Sequence, residues 1–209
     1  MINKLIILFG PPGSGKGTQG QILSEKLDYD YVSIGTELAR IAAEDTSISN
    51  EIKSYQASGQ LVPDSIVNKV IIDLIDMARG AVILDGYPRT IEQAEFLRSK
   101  YPQADVISFY LEIPDNEVIK RISGRRICSK CEKIFLPPDS LKLEKCDECG
   151  GELIERKDDN IETAKKRLHL YHSYTEPLVK YYKSKKGLLE IDGQQSIQDV
   201  TVNILKYLN

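Results

Sequence analysis

Leu5-Ile6-Ile7-Leu8-Phe9-Gly10-Pro11-Pro12-Gly13-Ser14-Gly15-Lys16-Gly17-Thr18 decides how the rest of the chain is read. Five consecutive apolar residues closed by a glycine form the pattern of a strand buried on both faces, as in a parallel sheet. A glycine-rich turn follows, and a helical pattern runs from about residue 17 to 27. Within the turn, Gly10 to Lys16 has the spacing G-x4-G-K. Glycines there let backbone N–H groups converge on phosphate oxygens, and the helix N-terminus adds the positive end of its dipole. Lys16 brings a mobile charge to the terminal phosphates. The predicted phosphate-binding set is Gly13, Ser14, Gly15, Lys16, Gly17 and Thr18. Many such loops place a Mg²⁺-ligating hydroxyl directly after the lysine. Here that place is Gly17 and the hydroxyl follows at Thr18, so the metal is expected to be held largely through water.

Working outward, Ala81 to Asp85 is a second buried run, ended by Gly86-Tyr87-Pro88. Residues 31–33, 106–111 and 188–191 complete five candidate strands. Helical patterns fill three pieces between 36 and 79, with breaks near 45–47 and 59–63, and then about 91–100, 115–124, 160–185 and 196–208. Strands alternating with helices predict an α/β fold, a five-stranded parallel sheet with helices on both faces. A chain of 209 residues, 41% hydrophobic and 28% charged, suits one globular domain with an inserted subdomain. Its 28 basic and 31 acidic residues give a net charge of −3, which excludes a strong pull towards nucleic acid or an anionic membrane. The longest apolar run near the N-terminus is too short for a signal peptide or a membrane span.

Residues 127–155 break the rhythm, with Pro137-Pro138, Gly150-Gly151 and all four cysteines. So irregular a segment has too little apolar surface to fold unaided and needs a pin. Cys128-x2-Cys131 and Cys146-x2-Cys149, fourteen residues apart, supply it: two thiolate pairs complete a closed tetrahedral site. With no open position for substrate, the metal is expected to be structural. Zinc is the predicted ion and iron its rival. Four clustered thiols without a signal sequence point to a reducing, cytoplasmic setting.

Further motifs follow in order: Asp85-Gly86-Tyr87-Pro88-Arg89-Thr90, Gly124-Arg125-Arg126, Arg156-Lys157-Asp158-Asp159 and Asp192-Gly193. With the loop, they resemble the adenylate kinases and related nucleoside monophosphate kinases, in the long form with a zinc-binding lid. The resemblance covers nearly the whole chain. It implies a P-loop nucleotide-binding fold in a single kinase domain, residues 1–209, with a helical NMP-binding insertion at 33–62 and a zinc-stapled lid at 124–159. It implies reversible transfer of a phosphoryl group from Mg·ATP to AMP, giving two ADP, by a monomer with no nucleic acid or membrane partner. The acceptor oxygen of that reaction is already ionised, so the site needs charge and alignment in place of a general base. Arginine suits the task.

By resemblance, Lys16 and Arg89, Arg125, Arg156 and Arg167 are the catalytic cations, and Arg89 grips the acceptor phosphate. Arg121 lies over the donor adenine and Phe135 packs near it. Asp85 holds Mg²⁺-bound water, and Asp158 and Asp159 do the same from the lid or serve a plain hinge or salt-bridge role. Gly86, Gln60, Leu61 and Val62 border the acceptor, Gln93 contacts its base, and Arg156 and Arg167 reach its phosphate.

The family's S-T-G-D-x-x-R segment reads here Ser33-Ile34-Gly35-Thr36-Glu37-Leu38-Ala39-Arg40. Aligning the glycines leaves Ile34 in the threonine place and Ala39 in the arginine place. A shift by one restores Arg40, and one residue is about 100° of helical rotation. The shifted register is preferred, with Thr36 and Arg40 in the acceptor site, because the site is otherwise short of charge. His169 and His172, three apart on a predicted helix with no acidic or cysteine partner in view, are read as structural or surface residues. Two rival functions stand: a UMP/CMP-type kinase, favoured by the missing threonine, and a zinc-ribbon binding module switched by ATP. The cysteine lid and Gln93 favour AMP.

Overall fold

A computed structural model of the chain describes residues 2–208 except 59, 132, 138, 139, 141 and 156–158. Arg156 and Asp158 therefore lie outside the described residues. Strands β1 (Lys4–Phe9), β2 (Asp30–Ser33), β3 (Ala81–Asp85), β4 (Asp105–Glu112) and β8 (Leu189–Asp192) form one parallel sheet in the order β2-β3-β1-β4-β8. Between them in sequence, β5 (Arg126–Cys128), β6 (Ile134–Phe135) and β7 (Leu153–Ile154) make a small antiparallel sheet, order β6-β5-β7.

Side chains of β1 alternate between two cores. Leu5, Ile7 and Phe9 pack with α4 (Asp64–Met77), α5 (Ile91–Lys100) and α8 (Glu176–Ser184) on one face. Ile6 and Leu8 pack with Leu23 of α1 (Lys16–Leu27) and with Val200 and Ile204 of α9 (Ile197–Leu205) on the other. The five apolar residues of β1 are at most 2% exposed, and truncating one to alanine would cost roughly 2–5 kcal/mol. That explains a continuous apolar run where a half-exposed strand would alternate.

The three helical pieces predicted over 36–79 are α2 (Ile34–Ala43), α3 (Ser47–Ser58) and α4. Ser33 caps α2 by accepting from the Thr36 N–H. Before α3, Thr46 and Ser49 exchange backbone-to-hydroxyl bonds of 2.9 and 3.1 Å, which satisfies N–H groups a helix start leaves free. The predicted helix over 160–185 is α7 (Ile161–Leu170), a wide π-helical turn at Tyr171–Thr175, and α8. In the wide turn the Glu176 N–H bonds the Tyr171 carbonyl, five residues back. Pro177 follows, offering no N–H and crowding the carbonyl four residues earlier, so the helix widens there.

Helix α6 (Asp115–Ser123) leads into the cysteine segment and α7 leads out of it. They pack on each other through Val118, Ile122, Ala164 and Leu168. Strands of two and three residues inside that segment escaped the sequence reading because so short a run carries no measurable alternation. No helix of the described residues is long and apolar enough to cross a membrane.

Candidate active site and metal centre

Helix α1 starts at Lys16 with Gly15, at φ +99°, as its N-cap, without a side-chain cap bond and without an acidic residue in the first turn. Its leading N–H groups therefore stay available for an anion. Gly10 is required by space: a Cβ there would lie 2.5 Å from Ser14 Oγ and 2.6 Å from the Leu111 carbonyl. Lys16 Nζ donates to the carbonyls of Gly10 at 2.8 Å and Pro11 at 2.9 Å. Burial pulls its pKa down to about 8; Asp85 opposes that shift, while Arg89 and Arg125 add to it. Lys16, Asp85, Arg89 and Arg125 thus share one electrostatic neighbourhood.

Lys16 opens α1, and the other members arrive from the end of β3 and the end of α6. Asp85 closes β3, beside Leu8 of β1 and Ser33 of β2, and Tyr31 of β2 donates its hydroxyl to Asp85 Oδ2 at 2.9 Å. Arg89 sits just beyond, its Nε on the Gly86 carbonyl at 2.8 Å. Arg125 follows α6 and makes a bidentate pair with Asp159, whose side chain is 1% exposed. Arg167 Nη1 lies 3.7 Å from the same carboxylate. Asp159 therefore orients two arginines from beyond the cysteine segment. Arg121 flanks the loop: a Cβ on Gly13 would sit 3.7 Å from its own Cβ, and Glu117 holds its Nε at 2.9 Å.

Three further residues of the expected site are already engaged within the chain. Gln93 is 3% exposed, and its amide is already oriented within the chain: Oε1 accepts from the Arg89 N–H at 2.7 Å and Nε2 donates to Asp64 at 2.7 Å. It braces the turn that carries Arg89, and its partner Asp64 borders the neighbouring cavity. That cavity, about 420 Å³, is lined by Gln60, Leu61, Val62, Asp64, Thr90 and Tyr174 among others. Arg40 is not brought to the cluster. Ile34, Leu38 and Ala42 turn one face of α2 into the core, which sets the helical phase and leaves Arg40 exposed, paired with Glu37 at 2.6 Å and Glu44 at 2.8 Å. Ile34, 1% exposed, packs against Gly86, the placement of the unshifted register, while Thr36 stays exposed over Ser33. Phe135, 5% exposed, belongs to the interior of the small sheet with Cys128, Cys146 and Leu153. That subdomain has so few apolar side chains that the ring is used as its core.

The four Sγ atoms of Cys128, Cys131, Cys146 and Cys149 lie within 4.8 Å of one another. Cys128–Cys149 and Cys131–Cys146 separations are 3.4 and 3.6 Å. A tetrahedron with metal–sulfur bonds of about 2.3 Å has edges of about 3.8 Å, so the quartet fits one closed metal site. Gly151 makes room for it: a Cβ there would come within 2.6 Å of Cys128 Sγ. Lys133 ties the knuckles together through Asp147 at 2.9 Å and Glu148 at 2.8 Å.

Sequence reasoning missed Tyr31 and Asp64, whose partners are distant in the chain, and the acidic partners of His172. His172 Nδ1 lies 2.7 Å from Glu176 and Nε2 3.0 Å from Asp115. Glu176 was findable, one helical turn away; Asp115 was not.

An uncapped helix start that offers N–H groups to phosphate, faced by guanidinium groups with no proton to collect, is equipped to move phosphoryl groups between nucleotides. The fold and site thus place the chain among the P-loop nucleotide kinases. A family model described as adenylate kinase matches residues 8–187. An adenylate kinase of Caldicellulosiruptor bescii is 41% identical over 213 residues, covering 97% of this chain and 98% of the relative. One from Methanothrix thermoacetophila is 44% identical over 217 residues, covering 98% of each, and one from Clostridium perfringens is 39% identical over 213 residues, covering 97% of each. The chain belongs to the adenylate kinase family.

Proposed function

We propose that the chain carries out the reaction of its family, reversible phosphoryl transfer from Mg·ATP to AMP giving two ADP. The observation that carries this reading is the convergence of Lys16, Asp85, Arg89 and Arg125 on the uncapped start of α1. Loop residues Gly13 to Thr18 hold the donor phosphates, with Arg121 beside them. Arg89 grips the acceptor phosphate from the turn braced by Gln93. Arg125 and Arg167, held by Asp159, close on the transferring group together with Arg156. Fixed positive charge there stabilises the transition state without proton transfer. Bound with the nucleotide, Mg²⁺ neutralises phosphate charge, and Asp85, through water, is the residue that would hold it.

Residues 33–62 form the acceptor-binding insertion and 124–159 the lid, which zinc staples through Cys128, Cys131, Cys146 and Cys149. All of these parts sit on one chain, which supports a monomer. Thiols clustered for metal, unlike disulfides, support a cytoplasmic setting.

Assaying UMP, CMP, GMP and AMP as acceptors with Mg·ATP tests the reading. AMP is expected to exceed UMP and CMP at least about tenfold in kcat/KM, a difference of roughly 1.4 kcal/mol. Equal use of a pyrimidine acceptor would move the chain to the UMP/CMP group, and ATP hydrolysis indifferent to every acceptor would make it a nucleotide-switched module.

A further inference from the structure

Residue 17 follows the loop lysine, and in this chain it is a glycine. What faces it is informative. A Cβ at Gly17 would look onto the Tyr31 hydroxyl at 3.5 Å and onto Asp85 Oδ2 at 3.6 Å. The phenol and the carboxylate thus stand where a side chain from the loop would point, already bonded to each other at 2.9 Å. One turn further along α1, a Cβ at Gly20 would lie 2.2 Å from Tyr31 Cε2 and 2.7 Å from Cδ2. That glycine is what lets the aromatic ring approach the helix so closely. Tyr31 is fixed from the other side by β2, where Tyr31 pairs with Ile83 and Ser33 with Asp85. Two glycines on α1 and the β2–β3 register together build a seat for one hydroxyl.

We propose that Tyr31 is a positioning residue for the phosphoryl transfer. Its hydroxyl engages one oxygen of Asp85 and holds the carboxylate so that the other oxygen faces the water shell of the nucleotide-bound metal. This rests on the reading of Asp85 as the carboxylate that serves that metal. Tyr31 supplies, from a neighbouring strand, the order that a loop hydroxyl after Lys16 would otherwise bring. The same ring explains why both Gly17 and Gly20 are bare: one leaves the hydroxyl a clear line to Asp85, the other admits the ring.

The test separates the two layers. The unsubstituted protein, Tyr31→Phe, Tyr31→His and Asp85→Asn are compared for the affinity of the protein·ATP complex for Mn²⁺, read by electron paramagnetic resonance, and for ATP affinity in EDTA. Melting temperature checks that each variant is folded. Tyr31→Phe is expected to weaken Mn²⁺ binding about tenfold, as loss of an outer-sphere partner does, with ATP affinity in EDTA unchanged. Tyr31→His keeps a ring N–H and should retain more of the metal affinity. Asp85→Asn should weaken it at least as much as Tyr31→Phe. Should Tyr31→Phe leave Mn²⁺ affinity intact while Asp85→Asn lowers it, the positioning role is wrong and the reading of Asp85 stands. Intact affinity in Asp85→Asn removes that reading and the proposal with it. Weaker ATP binding in EDTA by Tyr31→Phe would mean that the residue shapes the nucleotide site itself and would overturn the proposal.

Discussion

Lys16 carries opposite pH signatures for activity and for stability. Its pKa in the folded chain is about 8 against an ordinary 10.5, chiefly through burial. The charge is therefore present below pH about 8 and lost above it. Because kcat/KM for ATP reports the free enzyme, it should fall above pH about 8, while kcat, measured with anionic phosphates beside the ammonium, should fall at higher pH. Stability runs the other way. Between about 8 and 10.5 the unfolded chain binds the proton that the folded chain has released, so unfolding free energy rises with pH. Replacing Lys16 with alanine should cut turnover about a hundredfold or more and remove the alkaline limb, with the fold retained. A variant with near-parent turnover would show that the loop is misread. At this scale the sequence revealed side chains whose spacing encodes their chemistry, such as the cysteine quartet and the loop lysine. The hydrogen-bond partners of Gln93 and Tyr31 were closed to it, because Asp64 and Asp85 lie 29 and 54 residues away.

Among the elements, the small sheet β5–β7 and the wide turn before α8 are expected to respond to different stresses. Metal analysis should find about one zinc per chain, and Cys128→Ser should lower the melting temperature without abolishing turnover, since the site is closed to substrate. Metal-free protein with an unchanged melting temperature would remove the staple. The wide turn responds to pH. Hydrogen bonding to Glu176, then to Asp115, holds the His172 pKa above its ordinary 6.5. That contribution is full below about pH 6.5 and fades as pH rises through the higher folded value. The melting temperature of the unsubstituted protein should therefore exceed that of His172→Gln most below about pH 6.5, and the gap should shrink as the pH rises. A gap that does not shrink would mean that His172 acts by packing. Helix and strand existence was readable because long periodic stretches declare themselves, and every main-sheet strand overlaps the segment expected for it. The register at Arg40 was not, because the phase of α2 is set by Ile34, Leu38 and Ala42 packing on the core, which a motif comparison does not weigh.

For the whole molecule, the reading of 33–62 and 124–159 as two covers predicts compaction. Water has to be kept from the phosphoryl group in transit, so a bisubstrate inhibitor joining two adenosines through phosphates should shrink the radius of gyration in solution scattering. An unchanged scattering profile at saturation would reject domain closure. The wide turn at Tyr171–Thr175 also limits how this chain can change length. Upstream, Ala164 and Leu168 face α6; downstream, Leu178 and Val179 face the main sheet. One helical run thus serves two separate cores, and the wide turn sets the rotation between them. Deleting a single residue from it would give a more regular helix and a worse protein, because everything beyond would rotate by about 100° and one of the two apolar faces would swing into water. Tolerance to insertion and deletion should accordingly be lowest in the least regular part of the longest helical run.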